Sequence, residues 1–106
     1  MANGSLGKAM SQANSNVTVY TVPGNVQFAV VNINLCNTGG AEATAKIALT
    51  TSASPAAADY IDKGSKIPAN GGILERTCMT LSPGEKVIVE VDNALTAIRV
   101  HGLEKA

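Results

Sequence analysis

The chain has 106 residues, with eight Lys and Arg balancing eight Asp and Glu, 15% charged residues, and only Phe28, Tyr20 and Tyr60 as aromatics. A neutral chain lacks the basic field of a nucleic-acid or anionic-membrane binder, and three rings cannot build a stacking platform for single strands. Low charge at zero net charge is also unusual for a free monomer, which gains solubility from net charge.

The length fits one domain, and no apolar run approaches the ~20 residues of a membrane-crossing helix. Met1-Ala2-Asn3-Gly4-Ser5 does not read as a signal peptide, lacking a basic start and an apolar stretch. The expected place of synthesis is therefore a cytoplasm, with Cys36 and Cys78 made as thiols. Residues 1–15 are small, polar and Gly-containing, and read as an N-terminal arm held on its own domain or on a neighbour. Leu6 and Met10 are its large apolar anchors.

Residues 16–106 read as the folded domain. Residues 16–22 are β-branched and end at Pro23-Gly24, with Val17 and Val19 on one face and Thr18 and Tyr20 on the other. The run 26–36 is the longest. Ala29, Val31, Ile33 and Leu35 share one face, while Val26, Phe28, Val30, Asn32 and Asn34 share the other. One end is thus apolar on both faces, which requires a cover. Asn37-Thr38-Gly39-Gly40 is a turn, and residues 42–50 alternate again, with Ala43, Ala45, Ile47 and Leu49 on one side.

A small-residue loop spans 51–58, followed by a short strand at Tyr60-Ile61 and a turn ending at Gly71-Gly72. Residues 73–81 form the next strand. Residues 85–91 place Val87, Val89 and Val91 inward, and 96–101 place Ile98 and Val100 inward, leaving 102–106 as a tail. About seven short strands at this spacing, without strand–helix alternation, predict an all-β fold. It would be a single antiparallel β-sandwich, immunoglobulin-like or jelly-roll.

Catalytic chemistry finds little footing. His101 is the one histidine, it falls on the outward face, and no G-x-S-x-G elbow surrounds a serine. Cys36 and Cys78 lack the further ligands of a zinc site, and Asp59 and Asp62 lack an oxygen-rich calcium loop. No cofactor is expected. The cysteines read either as free, partly buried thiols or as a Cys36–Cys78 disulfide. Asn16-Val17-Thr18 matches a glycosylation sequon only formally in a chain without a secretory signal.

The succession Val17-Thr18-Val19-Tyr20-Thr21-Val22-Pro23, Val31-Asn32-Ile33-Asn34-Leu35 and Asn37-Thr38-Gly39 continues with Asp59-Tyr60-Ile61-Asp62 and Leu74-Glu75-Arg76-Thr77. It closes with Leu81-Ser82-Pro83-Gly84-Glu85 and Ile98-Arg99-Val100-His101-Gly102. Over residues 3–104 this resembles the small virion structural proteins of tailed bacteriophages, especially marine and cyanobacterial phages. No single motif carries the likeness; the order of the pieces does.

The resemblance implies a non-enzymatic particle component: a head decoration (cement) protein bridging capsid subunits, or alternatively a neck or tail appendage. It transfers no catalytic residue, and Cys36 and Cys78 lie outside its pattern. The implied partners are the major capsid protein or other virion proteins and further copies of the chain, and the implied location is the virion, after synthesis in the host cytoplasm. The contact residues expected are Leu6 and Met10 of the arm and Val26, Phe28 and Val30 of the long strand. Two competing readings are a sugar- or host-binding module using Tyr20 and Tyr60, and a small enzyme using His101.

Overall fold

The computed structural model describes residues 3–106. Eight strands follow one another: β1 (Asn3–Met10), β2 (Ser15–Thr21), β3 (Phe28–Asn37), β4 (Ala43–Thr50), β5 (Tyr60–Ile67), β6 (Gly72–Leu81), β7 (Lys86–Val91) and β8 (Thr96–Lys105). One 3-10 turn, Ala57–Asp59, interrupts the connection from β4 to β5. The strands form two four-stranded antiparallel sheets: a front sheet ordered β1-β8-β3-β6 and a back sheet ordered β2-β7-β4-β5.

The pairing follows a simple rule. β1 pairs with β8, β2 with β7, β3 with β6 and β4 with β5, as in one long hairpin whose tip is the β4–β5 connection. Rolling that hairpin adds the β3–β8 and β4–β7 pairs and produces the two sheets.

The core lies between the sheets and is almost wholly aliphatic. Ala29, Val31, Ile33 and Leu35 of β3 are fully buried, as are Val87, Val89 and Val91 of β7 and Ile98 and Val100 of β8. Period-two alternation puts these side chains on one face of each strand. Burying the side chain of such a residue contributes roughly 1.5–3 kcal/mol.

Several expectations are corrected. The supposed arm is strand β1, hydrogen-bonded along β8 from Asn3–Leu103 to Met10–Ala97; residues 1–2 lie outside the described residues. Its small residues permit this. A Cβ at Gly7 would lie 2.2 Å from the Val19 carbonyl oxygen, so only glycine lets β1 approach β2 there. A register shift between Ser5 and Gly7 turns Leu6 toward the core, and Leu6 is no exposed anchor.

Val26 precedes β3 and belongs to the buried core, so it presents no contact surface either. The supposed tail is the second half of β8, paired with Phe28, Ala29 and Val30. β5 runs through Asp62-Lys63-Gly64-Ser65-Lys66, a polar stretch suited to an edge strand. Eight strands stand among the described residues where about seven were expected. Finally, a shift between Thr18 and Tyr20 moves Tyr20 to the core side, opposite the face that strict alternation gives.

Candidate functional site

The outer side of the front sheet is the candidate site. Register places its residues in cross-strand rows. The first row, read from β1 to β6, is Met10, Ala97, Cys36 and Ile73. The second is Lys8, Arg99, Asn34 and Glu75. The third begins Ser5, His101 and Asn32 and ends at the bulged part of β6. The fourth is Asn3, Leu103, Val30 and Thr80, and Phe28 lies beyond it opposite Lys105.

An apolar first row and a half-apolar fourth row, Leu103 and Val30 between Asn3 and Thr80, therefore border a polar middle. Met10, Ile73 and Leu103 are 49%, 60% and 47% exposed. Phe28, Val30 and Cys36 are half-buried beside them. An open depression of about 600 Å³ is lined by Lys8, Met10, Asn34, Cys36, Ala97 and Arg99 among others. Lys8, Arg99 and Glu75 are exposed, and no ion pair joins them to another described residue. Positive charge thus occupies the β1–β8 half of the face and negative charge the β6 edge.

The outer side of the back sheet is arranged differently. Lys46 Nζ lies 4.0 Å from Glu90 Oε2, and Lys63 Nζ sits 5.0 Å from the centre of the Tyr60 ring. Lys66 donates to Thr44 Oγ1 at 2.8 Å, and Lys86 to the Thr51 carbonyl at 3.1 Å. Ala48 and Ile88 point outward here yet are buried. The 3-10 turn packs against β4, and Tyr60 lies opposite Ala48.

Three polar clusters stiffen the frame behind the face. Tyr20 Oη donates to Glu104 Oε2 at 2.6 Å, joining the back sheet to the end of β8. Burial first, then the hydrogen bond and the charge of Glu104, raises the Tyr20 phenol above its ordinary range. Arg76 clamps Asp62 with two nitrogens, Nη2 at 2.8 Å and Nε at 2.5 Å, across the open β5–β6 edge. At one end of the sandwich, buried Asn37 donates to the Ala41 and Ile67 carbonyls and accepts from Gly39 N and Asn93 Nδ2. Ser11 and Thr96 continue this network through Asn93.

Of the five expected contact residues, Met10, Phe28 and Val30 share the front face, whereas Leu6 and Val26 serve the core. Tyr20, one of the two rings a sugar platform needs, is buried. The Cys36–Cys78 disulfide is not formed: both thiols are free. Cys36 pairs with Ile73, whereas the Cys78 amide donates to Asn32 Oδ1 at 3.1 Å. Four residues along β3 separate the two sites by about 13 Å, and a disulfide tolerates at most about 7 Å between Cα atoms. The positive φ of Cys78, 59°, marks the bulge that turns it outward.

Ile73, Leu103, Lys8, Glu75 and Arg99 complete the face, and sequence reading did not single them out. The available signal was parity: Leu74 inward puts Ile73 and Glu75 outward. Among the described residues, no group of three or more His, Cys, Asp and Glu side chains gathers as metal ligands do, and no helix is long and apolar enough to cross a membrane. No family model, curated protein or solved structure matches the chain.

Proposed function

We propose that the chain is a non-enzymatic structural protein of a phage particle, a decoration protein that reinforces the capsid by adding contacts between its subunits. The observation that carries this reading is the strand pairing. A hairpin paired 1-8, 2-7, 3-6, 4-5 and rolled into sheets β1-β8-β3-β6 and β2-β7-β4-β5 is the arrangement of a jelly roll, the eight-stranded double Greek key that recurs in viral capsid subunits.

The front face supports the same reading. It exposes Met10 and Arg99, residue types enriched at interfaces, together with Ile73 and Leu103. Repetition over a shell turns modest contacts into large resistance, because each bound copy raises the local concentration of the next contact.

The test is to add purified protein to particles lacking it and to count bound copies by mass spectrometry. Saturation in step with the number of capsid subunits, with a raised heat-release temperature of the packaged genome, is the expected result. Occupancy at a single ring would place the protein at the neck or tail instead, and no binding would remove the reading.

A further inference from the structure

We propose that the front face is a self-recognition surface: two copies of the chain pack front sheet to front sheet about a two-fold axis parallel to the strands, between β8 and β3. This deepens the assembly reading above but concerns the isolated protein, so it stands or falls without a shell.

The face is complementary to itself in the placement of its charges and apolar side chains. An axis in the plane of the interface and parallel to the strands lays β1 of one copy on β6 of the other, and β8 on β3, at unchanged height. Each row then meets its own mirror. In the first row Met10 meets Ile73 of the second copy, apolar on apolar, and Ala97 meets Cys36. In the second, Lys8 meets Glu75 of the second copy, and Arg99 meets Asn34. In the fourth, Leu103 meets Val30.

Every such contact occurs twice, as an isologous interface requires. The charges Lys8 and Glu75, exposed and without an ion pair to another described residue, find opposite charges across the axis. The other in-plane axis, perpendicular to the strands, sets β1 on β1. It sets Lys8 of both copies on one side and Glu75 of both on the other, so Lys8 finds no opposite charge and like-charge repulsion disfavours it.

The size is sufficient. Four strands at about 4.8 Å and seven to eight residues at about 3.3 Å give a face of roughly 19 by 25 Å. Two such faces cover about 1,000 Å², the lower bound for a specific interface, so a weak and reversible dimer is expected. The back sheet, on the opposite side, exposes one large apolar side chain, Ile61 of the edge strand β5, and its lysines already have partners, so it offers a smaller site.

The experiment is sedimentation equilibrium on the purified full chain, with three charge variants. The wild type should dimerise below about 1 mM. Lys8→Glu and Glu75→Lys should each weaken dimerisation at least about tenfold, since each sets like charges against one another twice. An equimolar mixture of the two variants should regenerate a dimer, and so should the double variant K8E/E75K. Restoration separates recognition from misfolding.

A wild type monomeric at about 1 mM, single variants that dimerise as tightly as the wild type, or a mixture that stays monomeric would each overturn the proposal. A monomeric wild type whose binding to particles falls with Ile73→Asp would assign the face to the shell and overturn it as well. A dimer that sorts by charge but binds no particle would keep the inference and remove the phage reading.

Discussion

The two outer faces of the sandwich solve the same problem in opposite ways. The back sheet closes its own accounts: each of Lys46, Lys63, Lys66 and Lys86 has a partner in the same chain, and Ala48 and Ile88 are covered. The front sheet leaves Lys8, Arg99 and Glu75 without an ion pair to another described residue and Met10, Ile73 and Leu103 in the open. A zero net charge with few charged residues is thus distributed unevenly. One face has partners for its lysines and exposes a single large apolar side chain, Ile61 of the edge strand β5, whereas the other leaves three such side chains and three charges open to water.

The largest expected effect contrasts the backbones beneath the two faces. A Cβ at Gly102 of β8 would lie 1.9 Å from the Val30 carbonyl oxygen, and its φ is +153°. Gly102→Ala should cost about 3 kcal/mol or more, read as a shifted denaturation midpoint. Gly64 of β5 has φ +103° with open space around it, so Gly64→Ala should cost only about 1 kcal/mol. Equal costs would mean that the front sheet is not the more tightly constrained one.

Next comes the bond that ties the sheets together. Tyr20→Phe removes the phenol's hydrogen bond to the buried Glu104 and should cost about 1–3 kcal/mol at neutral pH. The folded phenol titrates above its unfolded value of 10.0. Below pH 10.0 both states are protonated and the full stability is present. As pH rises beyond it, the unfolded phenol ionises first and stability falls. Denaturation midpoints measured from neutral to strongly alkaline pH should show this extra alkaline loss in the wild type and a smaller one in Tyr20→Phe.

The smallest effect is expected on the back face. Lys46→Ala removes an ion pair at the surface, Lys46 being 37% exposed, and should change stability by less than about 1 kcal/mol without altering association. A loss of association there would erase the contrast between the faces.

The parts legible in the sequence are those whose pattern is local. β3 and β7 alternate strictly, and each of Ala29, Val31, Ile33, Leu35, Val87, Val89 and Val91 lies where alternation puts it. Alternation also put Phe28 and Val30 on the face opposite the core, where they are half-buried, whereas Met10 was read only as an anchor of the arm. β1 and the end of β8 were not. Asn3, Gly4, Ser5 and Gly7 have poor strand preference, and only pairing with β8 makes them a strand.

Bulges defeat parity counting, which is why Tyr20 faces the other way than expected and why alternation could not place Leu6 or Cys78. Val26 follows the Pro23-Gly24 turn and reaches the core from outside the strand, so no periodicity reports it. The Lys8–Glu75 relation depends on the order β1-β8-β3-β6, which joins the first strand to the last and is invisible along the chain.

The central claim is that the front face, and not the back, is made for a second surface. Sedimentation equilibrium of the wild type beside Ile73→Asp tests it most directly. Ile73 is 60% exposed, so the substitution should leave fold stability within about 0.5 kcal/mol. The account predicts a concentration-dependent dimer for the wild type and a monomer for Ile73→Asp at the same concentrations. A wild type that never associates, or an Ile73→Asp variant that associates equally well, would contradict it.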